Sequence, residues 1–179
     1  MKDHFAILLI PEERFALEIK GLKKRVGEVI GKSYLSATAP AHLSICSFSI
    51  KAGLANEIAV ALGPYMAPLQ RVELLSGAFG WYESSGTVYL GLQDNTPFLE
   101  FQQQLISFLR NTWPSLKRNM SIPSKPHLTL GRGFKEQEVP GILQALGEYP
   151  PTEFCGTKVD VRLEIQGKMT SLSSYTLKA

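Results

Sequence analysis

The sequence predicts a mixed fold of helices and strands, made of two similar halves that meet at a central cleft. Three observations carry that expectation. The first is a repeated motif: Ala41-His42-Leu43-Ser44-Ile45 and Pro126-His127-Leu128-Thr129-Leu130 each read histidine, aliphatic, hydroxyl, aliphatic, and lie 85 residues apart. The second is a repeated order of elements along the chain. The third is a pair of similar helix ends, Ala61-Leu62-Gly63-Pro64-Tyr65 and Ala145-Leu146-Gly147-Glu148-Tyr149. Related halves of this kind pack about a pseudo-twofold axis, which brings equivalent strands together. Residues 1–179 are read as one domain, with halves of about 1–83 and 84–179.

The first half opens on the apolar run Phe5–Ile10, bounded by Pro11, which suits a buried strand. Phe15, Ile19, Leu22, Val26 and Val29 then recur at steps of four and three, the stripe of an amphipathic helix with Glu12 and Glu13 at its favoured start. A loop around Ser33–Pro40 leads into the first histidine strand. A helix from Gly53 to about Met66 and a strand from Val72 to about Trp81 follow. The second half repeats this order. Thr87–Leu92 reads as a strand, and Thr96 before Pro97 as an N-cap with proline at the first helical position. Phe98, Phe101, Leu105 and Phe108 supply that helix's apolar face. After a long connection, Pro114–Lys125, comes the second histidine strand, then a helix from about Gln137 to Leu146. A strand at about Lys158–Ile165 and a last one at about Ser173–Leu177 complete the chain.

Composition narrows the class. Hydrophobic content of 44% and charged content of 20% are ordinary for a globular protein. No apolar run approaches the ~18 residues needed to span a bilayer, and Phe5–Ile10 is too short for a secretion signal. Two cysteines, Cys46 and Cys155, make neither a disulfide framework nor a metal motif, so a reducing cytoplasm is the expected compartment. A net charge of +3 and a pI near 8.8 suit a small anionic substrate or an RNA end. They fall short of the signature of a protein that coats duplex nucleic acid.

On a strand, residues i and i+2 share a side. His42 and Ser44 therefore face together, as do His127 and Thr129, while the aliphatic residues between them face the core. Two imidazoles and two hydroxyls around one cleft are suited to cleaving a phosphodiester without a metal. Imidazole titrates near 6.5, so one ring can remove a proton while the other donates one. The hydroxyls of Ser44 and Thr129 can donate to the nonbridging oxygens where charge develops. A given histidine meets this pattern by chance roughly 3% of the time, and two of the three histidines here do. Zinc sites usually need three or four protein ligands, and no carboxylate recurs at a fixed offset from the motifs. No metal or other cofactor is therefore expected.

These motifs resemble the 2H phosphoesterase superfamily, which includes 2′-5′ RNA ligase-like proteins and cyclic phosphodiesterases. Its hallmark is two His-x-Thr/Ser-x motifs, here His42-Leu43-Ser44-Ile45 and His127-Leu128-Thr129-Leu130. Pro11-Glu12-Glu13 after the first strand, Gly77-Ala78-Phe79-Gly80, and Lys125-Pro126 before the second motif extend the likeness, as does Arg132 at a position that is often basic. The resemblance spans essentially the whole chain. It implies an α+β fold with two lobes, in which two antiparallel sheets line a central cleft and helices lie outside. It also implies metal-independent chemistry on 2′,3′-cyclic or 2′-5′ phosphates, with His42 and His127 catalytic. The substrate would be an RNA end or a cyclic nucleotide. A monomer needing no membrane and no protein partner is expected. Ser44 stands where threonine is commoner and supplies the same hydroxyl.

Other positions admit two readings. Arg132 has strand parity opposite to His127 and reaches the cleft only if the chain bends at Gly131 or Gly133. Lys125 flanks the second motif and either contacts phosphate or is solvated. The basic residues of Pro114–Lys125 belong to a solvated loop or guide RNA. Phe48 and Phe134 pack in the core or stack on a base. Cys46, which shares parity with His42, reads as a buried thiol. His4, with no hydroxyl two residues on, reads as surface. Trp81 and Tyr82 read as packing between the halves. Two readings compete with hydrolysis: a 2′-5′ RNA ligase, less favoured because ligation needs aligned RNA ends while water is always available, and an RNA- or nucleotide-binding protein that kept the cleft without turnover.

Overall fold

The computed structural model describes residues 2–34, 36–51, 53–165 and 168–179. Eight strands and four helices follow in the order β1 (Lys2–Pro11), α1 (Glu13–Ile30), β2 (Leu43–Lys51), α2 (Leu54–Met66), β3 (Val72–Tyr82), β4 (Thr87–Leu92), α3 (Thr96–Thr112), β5 (Met120–Ser121), β6 (His127–Gly131), α4 (Val139–Leu146), β7 (Glu153–Ile165) and β8 (Lys168–Thr176). Every pairing between these strands is antiparallel. The antiparallel α+β class is the one the sequence predicts; the strands form one sheet where two were expected, because β7 pairs with both β3 and β1. No helix among the described residues is long and apolar enough to cross a membrane.

The strands are joined in the order β1-β2-β6-β4-β3-β7-β8, and β7 also pairs with β1. Hydrogen bonds therefore run in a closed circuit through both halves. The long β7 makes the closure: Glu153–Gly156 pairs with β3, and Gly156–Leu163 pairs with β1. That dual role explains why β7 starts five residues before the expected strand. Phe154 is buried in it, stacked on Phe15 of α1 at 3.9 Å between ring centroids. Gly156 allows the close approach at the crossover, because a Cβ there would sit 2.5 Å from Leu9 Cδ2.

Helix α1 buries Phe15, Ile19, Leu22 and Val26 as its spacing dictates. The expected fifth member, Val29, is 45% exposed. It lies over Gly141 of α4, which has no side chain to cover it. Lys23 takes a buried place on the same helix instead. Helix α3 begins at Thr96 with Asn95 in the capping position, and the Asp94 carboxylate accepts the Thr96 backbone N–H at 2.8 Å. The cap thus comes from Asp94 rather than Thr96. Phe108 is only partly buried and stacks on Tyr65 at 3.9 Å, while Ile106 and Leu109 complete the core face. The Pro114–Lys125 connection is tied down by buried Leu116 and by β5, which pairs with Ser47 and Phe48 of β2.

Candidate active site

Strands β2 and β6 lie side by side, with Leu43 opposite Leu128. Both leucines are buried, at 1% and 0% exposure, and point into the core. Alternation then turns the flanking His42, Ser44, His127 and Thr129 to the opposite face. Across the ladder, Thr129 is the neighbour of His42 and Ser44 is the neighbour of His127. The two histidines are diagonal neighbours, a relation that places residues about 7–8 Å apart. A local twofold through the Leu43–Leu128 pair relates one motif to the other.

The equivalence extends to the outer neighbours. Leu9–Leu43, Leu8–Ser44 and Ile7–Cys46 pair on the β1 side, and Leu90–Leu128, Tyr89–Thr129 and Val88–Gly131 pair on the β4 side. Each ladder skips one residue, Ile45 in β2 and Leu130 in β6. These matched bulges reverse the alternation. Beyond Ile45 the reversal sends Cys46 into the core at 1% exposure, away from the histidines, and desolvation pushes its thiol up to about 12. Beyond Leu130 it turns Arg132 onto the histidine face. The bend that Arg132 needs is therefore the bulge itself.

Both rings are oriented in the same way. The Nδ1–H of His42 donates to the Pro40 carbonyl, and that of His127 to the Lys125 carbonyl, each at 2.9 Å. A carbonyl only accepts, so in the neutral ring the proton sits on Nδ1 and Nε2 is the open base. Lys23 holds the loop before His42, donating to the carbonyls of Ser36 at 3.1 Å and Ala39 at 2.7 Å. Ser36 adopts a left-handed conformation with φ of 72°. Burial, with Arg132 nearby, brings the Lys23 ammonium down to about 8.

Burial also disfavours protonation of both rings. It outweighs the Pro40 hydrogen bond at His42, where Arg162, Lys23 and Arg132 add repulsion, and brings that ring down to about 4. His127 is lowered by burial and by Arg132, against the Lys125 hydrogen bond. The sign for stability follows. Between the unfolded value near 6.5 and the folded value at His42, the unfolded chain binds more protons, so stability falls as the pH falls across that window. We expect a loss of about 1.5 kcal/mol between pH 6.5 and pH 5 from His42. The His42→Gln variant should flatten the fall in thermal midpoint over that range. An equal fall in both proteins would assign the acid sensitivity elsewhere.

The walls of the site differ. Beside His127 stand Tyr82 and Tyr89, stacked at 4.5 Å, with centroids 5.1 and 5.2 Å from the imidazole. Gly80 opposite Tyr89 makes room for that ring, since a Cβ there would lie 2.6 Å from its Cζ. On the His42 side, the Arg162 charge opposes protonation of the ring. Tyr82 thus lines the histidine face rather than serving only as packing between the halves. The sequence signal for Tyr89 and Arg162 is parity. Tyr89 stands between Val88 and Leu90, and Asp160 and Arg162 alternate with Val159, Val161 and Leu163, so each polar side chain marks the face away from the core.

The other candidates divide. Phe48 and Phe134 are core residues, Phe48 on Phe5 at 4.9 Å and Phe134 on Tyr34 at 5.2 Å. Lys125 is exposed and meets His127 through its carbonyl. His4 is exposed on β1. Lys117 and Arg118 are exposed in a short helical turn. Among the described residues, no three of His, Cys, Asp and Glu are gathered as metal ligands. The cavity bordered by Glu12, Arg14, Arg71, Glu73 and Cys155 includes none of these candidates.

A family model for the 2′-5′ RNA ligase superfamily matches residues 11–165. No curated protein matches the chain in sequence. The apo crystal structure of E. coli LigT is similar with a TM-score of 0.66 at 17% identity, over 100% of this chain and 99% of that one. E. coli LigT complexed with 3′-AMP gives 0.62 at 17% identity, over 99% of each chain. TT0787 of Thermus thermophilus gives 0.67 at 15% identity, over 98% of each. At these identities the likeness is one of fold.

Proposed function

The chain belongs to the 2′-5′ RNA ligase superfamily, and from that premise we propose that it is a metal-independent phosphodiesterase. Its substrates are RNA-type 2′,3′-cyclic phosphates or 2′-5′ phosphodiesters, and His42 and His127 are its acid and base. One observation carries this reading: two imidazoles with matched Nδ1 anchors flank a single Leu43–Leu128 pair and turn to one face. The complex of E. coli LigT with 3′-AMP supports a nucleotide ligand for this fold.

In hydrolysis, water attacks phosphorus while one Nε2 takes its proton. The second, protonated ring gives a proton to the departing ribose oxygen as the P–O bond breaks. His42, the ring more strongly held neutral, is assigned the base, and His127 the acid. An anionic phosphate between the rings raises both pKa values, which makes the protonated acid available near neutrality. Ser44 and Thr129 donate to the nonbridging oxygens, and Arg132 adds charge on the same face. Lys125 is assigned to positioning His127 through its carbonyl rather than to phosphate contact.

The test is hydrolysis of nucleoside 2′,3′-cyclic phosphates by the wild type and by His127→Ala, each with and without a chelator. Turnover that survives the chelator and disappears in the variant supports the reading. Binding without turnover in both proteins favours a nucleotide-binding protein. Loss of activity to the chelator with rescue by zinc favours a metal-dependent site.

A further inference from the structure

The histidine face has two unlike ends, and one holds an arginine that the proposed reaction does not use. Arg162 lies opposite Ala6 of β1, which in turn lies opposite Ser47 of β2. On the other side of the local twofold, Tyr82 lies opposite Thr87, and Thr87 and Arg132 are the residues next to the Val88–Gly131 pair on their two strands. Arg162 therefore occupies the place that Tyr82 takes beside His127. Both share the histidine face, because Leu8, two residues from Ala6, pairs with Ser44. Arg162 is close enough to His42 to oppose its protonation.

The side chain is also prepared. Its Nε donates to Asp160 Oδ2 at 2.7 Å, and Asp160 Oδ1 accepts the Ser171 hydroxyl at 2.5 Å. Arg162 is 16% exposed and Asp160 8%. Among the described residues, neither Nη group has a hydrogen-bond partner. A fork fixed at Nε with both Nη groups free suits an anionic oxygen pair. The neighbouring Ala6 leaves the space in front of it unfilled by a long side chain. Strand β7 lies two places from β2, roughly 10 Å at the usual spacing of ~4.8 Å. The fork is thus displaced from the histidine pair toward one end of that face.

We propose that Arg162, fixed by Asp160, binds a second anionic group of the substrate, a phosphate that is not the one being cleaved. Taking the histidine face as the nucleotide site rests on the reading above. Arg162 then makes the protein selective for nucleotides or RNA ends that carry an additional phosphate.

The test compares 3′-AMP with adenosine 3′,5′-bisphosphate by calorimetric titration. Wild type should bind the bisphosphate about tenfold more tightly, the scale of one charge-assisted hydrogen bond. Arg162→Met should bring the two ligands within about twofold, and Arg162→Lys should fall between. Arg132→Met should weaken both ligands and keep their ratio. A partly unfolded variant loses both ligands equally, so the ratio separates recognition from stability. An equal affinity in the wild type, or a preference that survives in Arg162→Met, overturns the proposal. The ratio is read without turnover, so a wild type that prefers the bisphosphate yet cleaves nothing would sink the hydrolytic reading and leave this one standing.

Discussion

Replacing either histidine with alanine should lower kcat for 2′,3′-cyclic phosphate hydrolysis by about 10²–10⁴-fold, the usual worth of a positioned acid or base. The double variant should be little worse than the more damaged single variant. The two rings work on one displacement, and removing either half of a coupled pair forfeits most of the benefit. Nucleotide binding should outlast the loss of turnover, because Ser44, Thr129 and Arg132 remain. The single variants should also differ in pH dependence. With His42 gone, the limb that reports a neutral base disappears; with His127 gone, the limb that reports a protonated acid does. Steady-state kinetics over a pH series reads both effects. Retention of wild-type kcat in either single variant would remove that ring from the chemistry.

Thr129→Val is expected to cost about 10²–10³-fold in kcat with little change in KM. Valine nearly matches threonine in shape and lacks the hydroxyl, so the 8%-exposed site keeps its packing and loses a donor aimed at developing charge. Thr129→Ser should restore most of the rate. Ser44→Ala should show a loss of the same kind on the symmetry-related side. If KM rises while kcat holds, the hydroxyls bind the ground state and the transition state equally. A preserved thermal midpoint in Thr129→Val separates this loss from damage to the fold.

The catalytic candidates were legible in the sequence because a strand's two-residue period is rigid over short distances. His42 with Ser44, and His127 with Thr129, needed only that period to be turned to one face. Leu43 and Leu128, the aliphatic residues between them, are the pair on which the two strands meet. The same period misleads three residues later. Ile45 and Leu130 are skipped in their ladders, so Cys46 turns inward and Arg132 outward, against simple alternation. Nothing in the residue types at 45 or 130 marks a bulge. Its position is set by how β1 and β4 register against their neighbours, which is a tertiary property.

Other features depended on partners distant in sequence. Lys23 has the spacing of a buried helix residue and the chemistry of a surface one. Its burial follows from the carbonyls of Ser36 and Ala39, which only the folded loop brings to it. Arg162 gains its place from Asp160, Ser171 and the distant β1. Val29 completed the helical stripe on paper and faces solvent because its neighbour across the interface is Gly141. The repeated motif and the repeated order of elements were readable in the sequence. The joining of the strands by β7 into one hydrogen-bonded circuit was not, because one strand serving β3 and β1 in succession leaves no periodic trace.

The central claim is that both imidazoles serve one anion. The most direct test is an NMR titration of the histidine ring nitrogens with 3′-AMP, with exposed His4 as the internal reference. The expected result is that one equivalent of ligand shifts His42 and His127 along the same saturation curve, raises both pKa values and leaves His4 unmoved. A shift in only one ring, or saturation of the two at different ligand concentrations, would contradict it.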